Sequence, residues 1–384
     1  MYRQYSQPAP VIFGKGSISI LGEKAKEAGC KKVLCVFDKG IEAAGIVDKA
    51  IASLKAAGVD YATFSGVHAD PTDAVIDAGA EVALKEGCDG LVGIGGGSSM
   101  DSAKAISILL SNPGPAKNYI LAHPIYVDTK APVFLVPTTA GTGSEVTKVA
   151  VISRPDTNGK WSVFINTTLA IVDPELTVTL PPEYTASTGL DALSHAAEAI
   201  TGINWNHHSD LVGEAAIKKI AKYLKRAYDD PNDMEARYEM ALAANWAGLA
   251  FNDPITHVGH SIADAMSCAF HTSHGYGCAI ALPESMALVA PLEPDRMAMI
   301  ASALGLTLTG SESGEKLGQM VADKIRDMMR SMNVKSPKEL GYSREEFLAL
   351  WEATMTNHLA SYCPVHITED VAKELLAKVY DTYQ

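Results

Sequence analysis

Gly90-Leu91-Val92-Gly93-Ile94-Gly95-Gly96-Gly97-Ser98-Ser99-Met100-Asp101-Ser102-Ala103-Lys104-Ala105 joins two periodicities across three glycines. Residues 90–94 form a short apolar run of strand length. Residues 99–110 have the texture of a helix, closed by Asn112-Pro113-Gly114-Pro115. Glycines between a strand and a helix let the backbone come close to an anion and adopt positive φ. The helix start adds unpaired N–H groups and the positive end of a dipole. A pyrophosphate requires those features. Asp101 falls in the first turn of this helix and joins Gly95, Gly96, Gly97 and Ser98 as a candidate cofactor residue. The spacing is not G-x-G-x-x-G, so the usual dinucleotide fingerprint is absent. A tight strand-to-helix turn without a ligand is the plain alternative.

The rhythm extends in both directions. Residues 33–37 predict a strand, followed by Asp38-Lys39-Gly40, and residues 47–57 a helix ending at Gly58. Residues 61–64 predict a strand, 73–85 a helix and 133–136 a further strand. This β-α-β-α order implies a parallel sheet with helices on its faces, a Rossmann-like α/β domain. After Pro181-Pro182 helix follows helix, over residues 185–201, 210–228, 234–251, 256–269, 314–329 and 369–380. We place the boundary at about residue 180. An α/β dinucleotide-binding domain is expected over residues 1–180 and an all-α domain over 181–384. Residues 153–159 (SRPDTNG) and 203–209 (INWNHHS) are expected loops.

A second polar turn, Pro137-Thr138-Thr139-Ala140-Gly141-Thr142-Gly143-Ser144-Glu145, follows the 133–136 strand. Its hydroxyls, on Thr138, Thr139, Thr142 and Ser144, suit a ribose or phosphate edge. Two such loops at the C-terminal ends of parallel strands are where open α/β sheets hold ligands. Asp38, just after a strand, can accept from a ribose hydroxyl and would repel a 2′-phosphate, which favours NAD over NADP. Lys39 beside it works the other way.

Asp191 and His195 stand four apart in GLDALSHAAE, which on a helix puts them on one face about 5–6 Å apart. The segment THVGHSIADAMSCAFHTSH carries His257, His260, His271 and His274, with Asp264 among them. Imidazole and carboxylate together suit Fe2+ or Zn2+. Any one of these histidines alone reads more simply as a hydrogen-bonded structural residue. Their joint occurrence beside a nucleotide loop favours a metal.

The whole chain has 384 residues, 47% of them hydrophobic and 20% charged, with a formal charge of -13. An acidic surface argues against nucleic acid or an anionic membrane as partner. No apolar run reaches the roughly 18 residues of a membrane span, and the N-terminus has no targeting pattern. The six cysteines show no C-x-x-C pair, which reads as reduced thiols in a cytoplasmic protein.

At these residues the chain resembles the iron-containing (group III) alcohol dehydrogenase family. The motifs run from Ile12-Phe13-Gly14-Lys15-Gly16 through Asp38-Lys39-Gly40, GIGGGSSMDSAKA, PTTAGTGSEVT, Ile171-Val172-Asp173-Pro174 and GLDALSHAAEA to His274-Gly275 and Leu282-Pro283. The resemblance implies an N-terminal dinucleotide-binding domain and an all-helical metal domain, the dehydroquinate synthase-like architecture. It implies Asp191, His195, His260 and His274 as metal ligands. It also implies Asp38, Gly96, Gly97, Ser98, Thr138, Thr139, Thr142 and Lys160 at the cofactor. The implied reaction is hydride transfer between NAD(H) and a small alcohol or aldehyde, in a homodimer, with the metal as Lewis acid. Three positions depart from the family. Asp264 stands where many members carry a second histidine, Val149 where some have asparagine near the nicotinamide, and Cys363-Pro364-Val365-His366 where many have Asn-Pro-Arg. The proton relay is therefore open between His271, the first choice because imidazole titrates near neutrality, and Asp264 or His257. Two alternatives stand beside this reading. One is a dehydroquinate synthase-like lyase, for which the helical domain lacks a basic phosphate-gripping set. The other is a non-catalytic nucleotide- and metal-binding protein.

Overall fold

The computed structural model describes residues 3–157 and 159–383. In the α/β part, β1 (Val11–Phe13), β2 (Lys32–Asp38), β3 (Asp60–Val67), β4 (Gly90–Gly95), β5 (Val133–Pro137) and β8 (Leu169–Val172) make one sheet. A hairpin, β6 (Val149–Arg154) and β7 (Gly159–Phe164), stands apart from it. Helices α1 (Leu21–Glu27), α2 (Lys39–Ala43), α3 (Ile46–Ala57), α4 (Asp73–Glu86) and α5 (Gly97–Leu109) connect the strands. The helical part holds α6 (Pro182–Thr201), α7 (His207–Asp229), α8 (Met234–Phe251), α9 (Val258–Phe270) and α10 (His274–Val289). It continues with α11 (Pro294–Ala303), α12 (Gly314–Ser331), α13 (Arg344–Leu348), α14 (Trp351–Thr356) and α15 (Glu369–Thr382). The chain divides into two units, residues 7–180 and residues 181–384, and the segment up to Ser6 joins the second. Ser6 is held there by Asp253, which accepts from its hydroxyl at 2.9 Å, an anchor the expected 1–180 domain does not foresee.

The sheet order is β1-β8-β5-β4-β2-β3, and every neighbouring pair is parallel. Alternate residues of each strand feed opposite cores, as a period of two requires. Val33, Cys35 and Phe37 of β2 join Ile94 and Val136 on the face covered by α1 and α3. Leu34 and Val36 join Leu91, Leu135, Met100 and Ile106 on the face covered by α4 and α5. Gly93 lets α5 lie directly on β4, since a Cβ there would sit 2.9 Å from the Cβ of Ala103. From β2 the chain steps outward to β3, then returns to β4 and continues the other way to β5. The switch point lies between β2 and β4, which is where such sheets bind ligands beyond their strand ends.

In the helical unit, α6 is buried on all sides: from Thr185 to Thr201 only Thr188 escapes burial. Its run of Ala, Gly and Ser follows from that position. A Cβ on Gly189 would overlap the Cδ1 of Leu224 at 2.2 Å, so α7 packs against bare backbone. No helix among the described residues is long and apolar enough to cross a membrane.

Local departures from the expected elements have local causes. The 153–159 segment is the tip of the β6–β7 hairpin, with Ser153 and Arg154 ending one strand and Gly159 opening the next. Asn158 lies outside the described residues. The 203–209 loop is shorter than expected, because Asn206 caps α7 by accepting from the Ser209 N–H at 2.9 Å. Helix α10 contains Pro283, a residue that normally ends a helix, so periodicity alone assigns none there.

Candidate metal and nucleotide sites

The helical unit gathers its chemistry on two helices and the start of a third. On α6, Asp191 and His195 occupy one stripe. His260 comes from the first turn of α9 and His274 opens α10. Oδ1 of Asp191 lies 3.7 Å from Nε2 of His195, 3.8 Å from Nε2 of His260 and 3.9 Å from Nε2 of His274. The four ligand atoms all fall within 4.8 Å of one another. Donors at about 2.1 Å from a tetrahedral zinc stand about 3.4 Å apart, so the three Asp191 distances are long by a few tenths of an ångström, and the set as a whole, spread over up to 4.8 Å, would draw together around an ion. Oδ1 of Asp191 and Nε2 of His260 are buried with no hydrogen-bond partner. Buried polar atoms left unpaired are costly, and a shared cation satisfies both. The residues fit a divalent metal.

Electrostatics prepares the imidazoles. Burial pushes His195 down to about 4, against the pull of Asp191 and with the help of His260 and His274, so at neutral pH its lone pair is available. Its ring stacks on Phe251 with centroids 4.2 Å apart, which fixes its plane and excludes water. Glu198, one further turn along α6, is fully buried. Burial acts to raise its pKa, but His257 and His260 outweigh that and hold it at about 2. Asp264 lies 3.7 Å from Nδ1 of His274 and accepts from the amide of Asn357 at 3.1 Å.

The relay candidates separate. His271 is exposed, in the left-handed conformation (φ 56°) at the C-cap of α9, outside the ligand group. His257 is fully buried, with Nε2 2.9 Å from the hydroxyl of Thr201. Asp264 is the candidate that reaches a ligand. Glu198, Phe251 and Asn357 carry roles the sequence does not announce. Only Glu198 had a signal, its place seven residues after Asp191 on the same helix face.

In the α/β unit, β4 and β5 end side by side, with Gly95 opposite Pro137. Their two loops, Gly95–Ser98 and Thr138–Thr142, are thereby neighbours. Gly96 caps α5, and no side-chain cap hydrogen bond closes the helix start. The buried hydroxyls of Thr138 and Thr139 have no hydrogen-bond partner. A Cβ on Gly97 would lie 3.0 Å from Cγ2 of Thr142, so the notch between the loops exists because residue 97 is glycine. Unpaired N–H and O–H groups around a notch fit a pyrophosphate. Asp38 ends β2 on the other side of the switch point. Its Oδ1 accepts from Gly40 and Ile41 as the cap of α2, and Oδ2 is not used there. Lys160, on β7, pairs with Asp70 at 2.7 Å, and Asp70 itself has φ 53°.

Asp101 and Ser144, both expected at the cofactor, are bonded to each other in this structure. They turn inward: the Ser144 hydroxyl donates to Asp101 at 2.5 Å, and Asp101 also accepts from Val151 N–H at 3.0 Å. Lys104, fully buried behind them, donates to the carbonyls of Ser144 at 2.6 Å and Val149 at 2.7 Å and lies 3.5 Å from Asp101. Burial pulls the Lys104 ammonium down, and Asp101 and Glu145 oppose it. This network braces the second loop from below. Lys104→Met should cost about 3 kcal/mol, the lower end for breaking a buried pair, because Asp101 keeps two hydrogen bonds. Thermal unfolding should show a midpoint lower by roughly 6–12 °C; an unchanged midpoint would remove the brace.

Family comparisons agree with this architecture. Sequence models match the chain over residues 8–174 for "Iron-containing alcohol dehydrogenase" and over residues 185–380 for "Fe-containing alcohol dehydrogenase family, C-terminal". Choline dehydrogenase of Bacillus subtilis (strain 168) is 36% identical over 348 residues, 89% of this chain and 86% of that protein. NAD-dependent methanol dehydrogenase of Bacillus methanolicus is 38% identical over 306 residues, 79% of this chain and 80% of that protein. The crystal structure of a 1,3-propanediol oxidoreductase matches with a TM-score of 0.92 at 30% identity, covering 99% of this chain and 100% of that one.

Proposed function

The chain belongs to the iron-containing alcohol dehydrogenase family, and on that premise we propose that Asp191, His195, His260 and His274 hold one Fe2+ or Zn2+ for NAD-linked interconversion of small primary alcohols and aldehydes. The observation that carries this is the convergence of three Nε2 atoms on one carboxylate oxygen at 3.7–3.9 Å. A divalent cation bound there would act as a Lewis acid on the substrate oxygen.

The protein's own residues do the rest. Gly95, Gly96, Gly97 and Ser98 offer the cofactor's pyrophosphate backbone N–H groups, and Thr138, Thr139 and Thr142 add hydroxyls. Asp38 offers Oδ2 to a ribose hydroxyl, and Lys160 joins the pocket from β7 while paired to Asp70. Bound NAD(H) would supply or take up the hydride, and the substrate oxygen would lose or gain a proton. Asp264, touching His274 and held by Asn357, is the group we assign to steer that proton, in preference to the exposed His271. A cytoplasmic homodimer completes the reading.

The test is a steady-state panel of short alcohols and aldehydes with NADH and NADPH, on protein stripped of metal and reloaded separately with Fe2+ and Zn2+. Metal-dependent turnover with a preference for NADH is expected. NADH binding without turnover of any substrate in either metal form would overturn the proposal in favour of a non-catalytic protein.

A further inference from the structure

Glu198 is fully buried, seven residues after Asp191 and three after His195 on α6. Its Oε2 lies 3.2 Å from Nδ1 of His260, at ion-pair distance though without a formed hydrogen bond. The same oxygen accepts the backbone N–H of His257, the residue before α9 begins. A Cβ on Gly259 would stand 2.1 Å from Oε1 of Glu198. Glycine at 259 therefore lets the first turn of α9 lie directly against the carboxylate. Nδ1 of His195 and Nδ1 of His260 alike make no formed hydrogen bond, but the His195 ring rests on Phe251 whereas Nδ1 of His260 has the Glu198 carboxylate at ion-pair distance.

A neutral imidazole carries one N–H. With that proton on Nδ1, facing Glu198, the lone pair is on Nε2, which faces Asp191 at 3.8 Å. The reversed tautomer would aim an N–H into the ligand cluster. We infer that Glu198 is a positioning residue: its carboxylate fixes the tautomer and tilt of His260 and ties that ligand to the start of α9. Carboxylates in this relation to a ligating histidine change metal affinity about 10- to 100-fold when altered.

A purely structural role, capping α9, is the competing account, and glutamine separates the two. Glu198→Gln keeps the volume and can still accept the His257 N–H, but it lacks the charge that selects the Nδ1–H form. Metal-stripped full-length protein is titrated with Zn2+ against a chromophoric chelator. Cobalt-loaded protein gives the visible spectrum, and the metal-free protein its thermal midpoint. Glu198→Gln is expected to bind Zn2+ about 10- to 100-fold more weakly, with shifted Co2+ bands and a near-normal midpoint. Wild-type Zn2+ affinity and an unchanged Co2+ spectrum in Glu198→Gln would overturn the inference. Should the variant fail to fold, 15N-detected ring resonances of the metal-free wild type, in which no metal dictates the tautomer, decide. They must show His260 as the Nδ1–H tautomer with its proton strongly downfield, and the other tautomer removes the role. The inference rests on the metal reading above, and Asp191→Asn separates the two. Wild-type Zn2+ binding by Asp191→Asn would end the metal reading. Loss of Zn2+ in Asp191→Asn alongside full affinity in Glu198→Gln would end only the positioning role.

Discussion

Asp191→Asn should lower kcat/KM for aldehyde reduction by about a thousandfold or more, ~4 kcal/mol of transition-state stabilisation. Oδ1 of Asp191 is the common neighbour of three imidazole nitrogens, and its carboxylate is the one anionic donor among the four proposed ligands. An amide keeps the size of the side chain and removes the charge, so a divalent cation loses its strongest partner. If the amide nitrogen turns inward, an N–H donor faces nitrogens that must themselves act as donors to metal. The residue is 1% exposed, so water cannot replace the missing carboxylate. His195, held near 4, stays neutral at pH 7 and supplies no compensating charge. NADH affinity should stay within about twofold, because the glycine and threonine loops belong to the other unit. Three readings on one preparation decide it: metal content, kcat/KM, and NADH fluorescence titration. Wild-type turnover at wild-type metal content would remove Asp191 from the ligand set. Lost turnover with lost NADH binding would point to a folding defect instead.

How far the sequence reaches depends on whether a feature is local. The β4-glycine-α5 unit is legible because strand, turn and helix follow one another within residues 90–105, and the pattern itself states the geometry. The proposed ligand set is legible for a related reason, since the i,i+4 pair at Asp191 and His195 and the dense histidine run each lie within one short segment. Orientation is not local. Asp101 and Ser144 stand in the right loops, yet they face each other across the base of the cradle, and only the packing of Lys104 beneath them explains why. Glu198 meets His257 and His260 from about sixty positions away in the chain, so no spacing rule connects them. His271 shows the opposite relation between sequence and structure. Its residue type and neighbourhood recommend it as a proton relay, but the left-handed turn that ends α9 leaves it exposed. Helix α10 was hidden by Pro283, whose cost is met by the burial of the surrounding helix.

Gly97→Ala is expected to weaken NADH binding about 30-fold, ~2 kcal/mol, while leaving metal affinity and fold intact. Residue 97 opens α5, the position from which backbone N–H groups point at an anion. The added methyl would lie 3.0 Å from Cγ2 of Thr142, so it occupies the notch between the two loops and presses on the second of them. Neither effect harms the folded state much. Alanine is the better residue in a helical turn, and replacing glycine narrows the unfolded ensemble, worth about 0.4–1 kcal/mol in favour of folding where the backbone is compatible. The expected signature is therefore weaker cofactor binding at an equal or higher thermal midpoint, a combination that general destabilisation cannot produce. Gly96→Ala is the graded comparison: its Cβ would stand 3.4 Å from Cγ2 of Thr139, an ordinary contact, and the loss should be smaller. Fluorescence titration of both variants with NADH measures the order. If Gly97→Ala binds NADH as tightly as the wild type, the pyrophosphate does not enter between these loops, and the assignment of Thr138, Thr139 and Thr142 goes with it.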